Sequence, residues 1–197
     1  MTIGTIANWG AVLLMGGKGQ RMGGRDKSQL VLDGQSFQEI ALSYVTDHFD
    51  NIAISVGPTE IPECGFAQLI DRQVKGQSIG PAGGLLAGLE WAKNLGLEGF
   101  LTLPVDTPIL PNDIAPRLCE VGISAFASHQ NQNHWLHAAW RVADYNTIEA
   151  AVIQDAVYSL YRLHKIIGSE AVAFADGTPG NFQNINSPED YQAILSR

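Results

Sequence analysis

A glycine-rich, cationic segment at residues 14–27 carries the clearest chemical signal in this sequence. Five of its fourteen residues are glycine, and it holds four of the twelve cationic side chains of the chain: Lys18, Arg21, Arg25 and Lys27. Glycines let a chain turn tightly and bring backbone N–H groups close to an anion. Lys27 and Arg21 are the candidates for phosphate contacts, since a guanidinium can hold phosphate through two parallel hydrogen bonds. We therefore predict a phosphate-binding loop here, against the alternative of a solvated surface loop.

The glycine spacing excludes two common phosphate-binding motifs. No Gly-Lys-Ser/Thr sequence ends the segment, as a P-loop would require. Counted from Gly17, the second glycine is Gly19, but Met22 stands where a dinucleotide fingerprint has its third. The next predicted strand, 51–57, also lacks a terminal acid that could hold a ribose. A hydride-transfer enzyme is therefore disfavoured.

Bulk composition limits the class of protein. The 197 residues carry a net charge of -8, so a local cationic loop favours a small anionic ligand over nucleic acid. We expect one domain over residues 1–197, with a core of its own. The two cysteines, Cys64 and Cys119, lack metal-type spacing. Since no window approaches 18 uninterrupted apolar residues, we predict a soluble, cytoplasmic protein without membrane contacts.

Two acids follow predicted strands. Asp106 comes directly after the strongest predicted strand, 99–105, and is a candidate Mg²⁺ ligand; its alternative is to cap the turn before Pro108. Asp71 ends the stretch 67–71 and either accepts from a base or sugar hydroxyl or is an ordinary turn acid.

Two pairs of side chains remain ambiguous. Asn184 and Asn186 flank one residue in an extended stretch, so both amides should face the same side. They either reach toward a metal or phosphates or form an ordinary turn before the helix. His134 and His137 lie three apart on a predicted strand, so we expect them to point to opposite faces and not to chelate a metal together.

Apolar periodicity and cap signals predict alternating strands and helices. Ser36 and Glu39 form a capping-box pattern, and Ser187-Pro188 is a helix start. The segment 72–80 reads as a long polar loop. We predict strands at 11–15, 51–57, 67–71, 99–105, 124–128, 135–142 and 171–175, and helices at 37–48, 81–95, 111–120, 147–167 in two pieces, and from 188.

This alternation predicts an α/β fold, a mostly parallel central sheet with helices on both faces. Ligands of such sheets bind outside the carboxyl ends of the strands. The glycine loop, Asp71 and Asp106 all fall at predicted carboxyl ends, so we expect them at one edge.

Four blocks resemble the molybdenum cofactor guanylyltransferase (MobA) family of the nucleotidyltransferase superfamily. They span residues 14 to 190 in the family's order. The blocks are Leu14-Met15-Gly16-Gly17 with Arg21-Met22-Gly23 and Asp26-Lys27, then Gly80-Pro81-Ala82-Gly83-Gly84-Leu85, Pro104-Val105-Asp106-Thr107-Pro108, and Asn184-Ile185-Asn186-Ser187-Pro188-Glu189.

The resemblance implies a three-layer Rossmann-like fold and transfer of GMP from Mg-GTP to the phosphate of Mo-molybdopterin, with release of pyrophosphate. It implies GTP contacts along the loop and at the strand ends, and Mg²⁺ on Asp106. Ser55 falls where the family often has Asn. Proteins that deliver molybdopterin or mature molybdoenzymes are implied partners. The residues implied to bind GTP are Leu14, Met15, Gly16, Gly17, Lys27, Ser55, Asp71 and Asp106. The resemblance implies that Lys27, Arg21 and Asp106 are the catalytic residues.

Two alternatives remain open. The same fold could transfer CMP to molybdopterin, or a nucleotide to a sugar or alcohol phosphate, because base choice depends on few contacts. A non-catalytic nucleotide-binding regulator would keep the glycine loop but would not need Asp106.

Overall fold

A seven-stranded sheet organises the chain. The computed structural model describes residues 5–15, 27–57, 65–175 and 181–196. The strands of the sheet are β1 (Trp9–Leu14), β4 (Asn51–Gly57), β5 (Ala67–Ile70), β8 (Gly99–Pro104), β9 (Ala125–His129), β10 (Gln132–Arg141) and β11 (Glu170–Phe174). Their order across the sheet is β11-β9-β10-β8-β1-β4-β5.

Six of these strands run in one direction, and β10 runs against its neighbours β8 and β9. The predicted mostly parallel sheet is thus confirmed. The chain leaves β1 toward β4 on one side and later returns to β8 on the other. The strand order therefore reverses at β1, which is where ligands of open α/β sheets bind.

Helices cover both faces, as predicted, and give three layers. They are α1 (Phe37–Thr46), α2 (Pro81–Asn94), α3 (Ile114–Cys119), α4 (Tyr145–Ile153), α5 (Leu160–Ile167) and α6 (Pro188–Leu195). Alternate residues of β1 divide between two cores: Val12 packs with α2, α4 and α5, whereas Leu13 packs with α1 and α3. Both side chains are fully buried, as expected of a strand covered on both faces. None of the described helices is long and apolar enough to cross a bilayer.

Both predicted helix starts have the capping geometry that their sequences indicate. The Ser36 hydroxyl accepts from the Glu39 N–H, and the Glu39 carboxylate accepts from the Ser36 N–H, 2.7 Å away. Ser187 and Asp190 form the same reciprocal pair at the start of α6, with Pro188 in the first turn. Each cap satisfies backbone donors that a helix start leaves unpaired.

The chain also contains two small hairpins that we did not predict. One joins β2 (Val31–Leu32) to β3 (Gln35–Ser36), and the other joins β6 (Gln73–Val74) to β7 (Gln77–Ser78) within the expected loop 72–80. The turn residues Asp33-Gly34 and Lys75-Gly76 all have positive φ. That conformation is typical of two-residue hairpin turns, and the Asp-Gly pair was the signal that could have revealed the first hairpin.

The expected arrangement of His134 and His137 is wrong. Their ring centroids are 5.6 Å apart, and both rings pack against Phe182. The pairing of β10 with β9 shifts register between His134 and Ala138. This irregularity breaks the strict alternation of side chains on which the prediction depended.

Candidate active site

The carboxyl ends of β1, β4 and β8 meet at the edge where the strand order reverses. The Met15 N–H donates to the Ser55 carbonyl at 3.1 Å, and the Val105 N–H donates to the Leu14 carbonyl at 3.3 Å. The backbone at Leu14 and Met15 is therefore tied to both neighbouring strands just before the glycine-rich loop. This places the backbone of Leu14 and Met15 between the ends of β4 and β8.

Asp71 and Ser55 form a hydrogen-bonded pair on one side of this point. The Ser55 hydroxyl donates to Asp71 Oδ1 at 2.6 Å, and only 3% of Ser55 is exposed. Burial raises the pKa of the Asp71 carboxyl, whereas the hydrogen bonds from Ser55 and at Gly57 oppose that rise. The carboxylate is thus a partly desolvated acceptor, oriented by the Ser55 hydroxyl.

The first turn of α2 approaches this pair closely enough to require glycine. A Cβ on Gly84 would lie 2.8 Å from Ser55 Oγ and 3.2 Å from Asp71 Oδ1, and a Cβ on Gly83 would lie 2.5 Å from the Arg72 carbonyl. Real Cβ atoms essentially never come within 3.0 Å of such neighbours. The Gly-Gly pair therefore lets the helix start pack directly against the acid.

Lys27 and Asp106 form an ion pair on the other side. Lys27 Nζ donates to Asp106 Oδ2 at 3.1 Å and to Asn186 Oδ1 at 2.5 Å. The side chains of Lys27 and Asp106 are 20% and 25% exposed. The three residues come from distant parts of the sequence: the end of the glycine-rich segment, the turn after β8, and the residues before α6.

The segment before α6 is fastened to the turn after β8. The Ile185 N–H donates to the Asp106 carbonyl at 2.8 Å, and the buried Thr107 hydroxyl donates to Asn184 Oδ1 at 2.6 Å. The two amides thus have different partners, since Asn186 accepts from Lys27. Backbone donation from Asn186, together with the cap hydrogen bonds, lowers the pKa of Asp190. These contacts hold the segment 184–186 beside the turn that carries Asp106.

The oxygens around Lys27 suit a hard divalent cation. Asp106 offers a carboxylate and Asn186 an amide oxygen, and both already accept hydrogen bonds from one ammonium group. Mg²⁺ is usually bound through one or two carboxylates, with waters and substrate phosphates as its other ligands. The residues present therefore fit such an ion.

A family model for the MobA-like NTP transferase domain matches residues 11–169. The chain belongs to this family. It is a nucleotidyltransferase, of a family that normally uses a divalent metal.

Curated relatives and a solved structure agree with this assignment. The molybdenum cofactor guanylyltransferase of Acidiphilium cryptum is 37% identical, over 93% of this chain and 92% of its own length. The enzyme of that name from Rhodobacter capsulatus is 34% identical, over 91% and 90%. The structure of molybdopterin-guanine dinucleotide biosynthesis protein A from Archaeoglobus fulgidus has a TM-score of 0.73 at 17% identity, covering 95% and 97%, and shows the shared fold.

In this MobA-like chain, the residues predicted for the site fall into two groups. Those that lie along the carboxyl edge, as described above, are Leu14, Met15, Ser55, Asp71, Lys27, Asp106, Asn184 and Asn186. Gly16, Gly17 and Arg21 lie outside the described residues. Sequence reasoning did not anticipate the Ser55–Asp71 hydrogen bond or the anchoring role of Thr107. The signals for Thr107 were its position directly after Asp106 and its place in the block Pro104-Val105-Asp106-Thr107-Pro108.

Proposed function

We propose that this protein is a molybdenum cofactor guanylyltransferase, which transfers GMP from Mg-GTP to the terminal phosphate of Mo-molybdopterin and releases pyrophosphate. The activity follows from the family and the named relatives. The observation that carries the site assignment is the Lys27–Asp106 ion pair at the point where the strand order reverses. We further propose that residues 1–197 act as one domain, because cores on both sheet faces are continuous with the site.

In the proposed reaction, an oxygen of the molybdopterin phosphate attacks the α-phosphorus of GTP. A new P–O bond forms as the bond from the α-phosphorus to the bridging oxygen breaks, and pyrophosphate leaves with that electron pair. The attacking phosphate is already anionic, so the protein needs no side-chain nucleophile or base. Its contribution is to position the reactants and stabilise the developing charge.

In this proposal, the residues around Asp106 provide the charged groups that bind the triphosphate and the metal. Lys27 places its ammonium on the triphosphate, and Arg21 assists it. Asp106 would hold Mg²⁺, with the Asn186 oxygen beside it; when bound, Mg²⁺ withdraws charge from the phosphoryl oxygens. Asn184 keeps this region in place through Thr107.

The Asp71 half recognises the nucleoside. Asp71 is a desolvated acceptor, and Ser55 fixes its orientation. A hydrogen-bond donor of the base or ribose would pair with the second carboxylate oxygen. Leu14 and Met15 present backbone groups to the nucleotide at the end of β1, and Gly16 and Gly17 are the further nucleotide-binding positions of this proposal.

A nucleotide panel tests this function. Purified protein is incubated with molybdate-loaded molybdopterin, Mg²⁺ and GTP, CTP or ATP, and pyrophosphate release is followed. Release with GTP that depends on both molybdopterin and Mg²⁺ is the expected result. Preference for CTP would indicate a cytidylyltransferase, activity with a sugar or alcohol phosphate instead would indicate another acceptor, and GTP binding without pyrophosphate release would indicate a regulator.

A further inference from the structure

The ammonium of Lys27 lies between two oxygens of the kind that bind divalent cations. Its Nζ contacts Asp106 Oδ2 and Asn186 Oδ1 at the same time. Sequence separations of 79 and 159 residues show that folding alone assembles this contact. Lys27 is therefore a counter-cation that belongs to the protein itself.

The contact of Lys27 with Asp106 and Asn186 is incompatible with its proposed role in binding the triphosphate. In the proposed function, Lys27 binds the triphosphate while Asp106 coordinates the metal. An ammonium and a divalent cation on the same pair of oxygens repel each other, and the half-buried surroundings weaken the screening by water. One ammonium also cannot pair fully with Asp106 and with a triphosphate at once.

We propose that Lys27 holds the metal site closed to divalent ions until nucleotide arrives. In the free protein, Lys27 neutralises Asp106 and holds the Asn186 oxygen beside it, so the two oxygens are arranged without metal. When nucleotide binds, its phosphates draw the ammonium away from Asp106 and Asn186, whose oxygens then become available to the ion. Lys27 thus couples metal binding to nucleotide binding, and it acts here as a positioning residue.

The inference rests on the proposed role of Asp106 as metal ligand. It makes a counter-intuitive prediction: removing a cation from a site needed for metal-dependent transfer should improve metal binding when nucleotide is absent. A Lys27 that served only the triphosphate would leave that affinity unchanged.

Mn²⁺ binding to the full chain without nucleotide tests the proposal, with free Mn²⁺ measured by electron paramagnetic resonance. We expect Lys27→Met to bind Mn²⁺ about tenfold more tightly than wild type, because one neighbouring positive charge is removed. The double variant Lys27→Met/Asp106→Asn should lose this gain. Lys165→Met removes an equivalent charge from an exposed position on α5 and should match wild type.

The outcomes separate this inference from the proposed function. If Lys27→Met binds Mn²⁺ no more tightly than wild type, while Asp106→Asn still weakens Mn²⁺ binding in the presence of GTP, the coupling role is wrong and the metal assignment stands. If Asp106→Asn binds Mn²⁺ as wild type does with GTP, the metal assignment itself fails. Lys27→Gln keeps a donor for Asn186 and repeats the test if the Met variant does not fold. Its thermal midpoint should then rise more with Mn²⁺ than that of wild type.

Discussion

Asp71 and Asp106 both lie at the carboxyl edge of the sheet, but their carboxylates have different surroundings. Asp71 follows β5 and pairs with a buried neutral hydroxyl, and burial raises its pKa. Asp106 follows β8 and pairs with an ammonium. One carboxylate is thus paired with a neutral hydroxyl, and the other with a positive charge.

The two regions also differ in how they are built. The Asp71 side depends on close backbone packing, with the glycines of α2 against Ser55 and Asp71. The Asp106 side depends on long-range side-chain contacts from Lys27 and Asn186. We therefore expect substitutions on the Asp71 side to change nucleotide affinity and stability together, and those on the Asp106 side to change turnover with less effect on stability.

Asp106→Asn should have the largest effect on turnover. Loss of the carboxylate removes the charge that holds the metal, a contribution of several kcal/mol, so we expect pyrophosphate release to fall roughly 10³-fold. Turnover with GTP, molybdopterin and Mg²⁺ is measured beside Asp113→Asn, which changes an exposed aspartate before α3. If Asp106→Asn turned over at nearly the wild-type rate, Asp106 would not be the metal ligand that distinguishes it from Asp71.

Lys27→Ala should lower turnover by roughly 10- to 100-fold. A charge-assisted hydrogen bond contributes about 1.5–3 kcal/mol, and this one is expected to act on the triphosphate. Single-turnover rates with saturating GTP measure the loss, and thermal unfolding checks that the fold is retained. An unchanged rate would contradict the role assigned to Lys27.

Gly84→Ala should affect both affinity and stability. The added methyl would collide with the Ser55–Asp71 pair, so we expect a loss of about 1–3 kcal/mol in the free energy of unfolding and weaker GTP binding. Gly88→Ala is the matched control, because its methyl would meet the buried Phe100 ring at 2.7 Å. It should cost stability without a specific loss of GTP affinity. Equal GTP affinities for the two variants would show that the Asp71 side does not bind nucleotide.

The packing of β10 against Phe182, in the segment before α6, should weaken in acid. His137 is buried against Phe182, and burial lowers its pKa to about 3. The unfolded chain takes up this proton near pH 6.5 and the folded chain does not, so stability falls as pH drops from 6.5 toward 3. At pH 5 the loss from this residue is ~2 kcal/mol.

Urea unfolding at pH 8 and pH 5 checks this prediction. His137→Phe removes the proton-binding group while keeping an apolar ring beside Phe182, so its stability should depend less on pH than that of wild type. The same change in stability between the two pH values in both proteins would show that His137 does not contribute.

Ser55→Ala should have the smallest effect. It removes one hydrogen bond to Asp71, which predicts a loss of about 1 kcal/mol in GTP binding, or roughly fivefold in Kd. The Ser55 hydroxyl lowers the Asp71 pKa, so that pKa should rise further in the variant. If the ionised carboxylate binds the nucleoside, affinity should decline at a higher pH than in wild type. Titration of GTP binding from pH 8 to pH 5 measures both effects.

Much of the fold was readable from local pattern. The strand 51–57 and both helix caps were predicted at the residues where they occur, since capping boxes and buried apolar runs are local signals. The reversed direction of β10 and the register shift near His134 were not predicted. Strand direction and register are set by pairing between distant segments, which periodicity within one segment does not report.

The residues of the site could be predicted from the sequence, but their contacts could not. Lys27, Asp71 and Asp106 were candidates from their residue types and their positions after predicted strands. That Asn186 accepts from Lys27 while Asn184 accepts from Thr107 required the tertiary structure. Spacing placed both amides on one side, but it held no information about which partner each would meet.

The sequence by itself determined the family, the alternation of strands and helices, and the residues able to carry charge at the sheet edge, because these depend on residue type and short spacing. Only the tertiary structure decided what each aspartate became. Partial burial beside Ser55 and α2 raised the pKa of Asp71, and the approach of Lys27 gave Asp106 an ammonium partner that it shares with Asn186. The chemistry of a carboxylate depends on the charges and desolvation around it, and these come from residues far away in the chain.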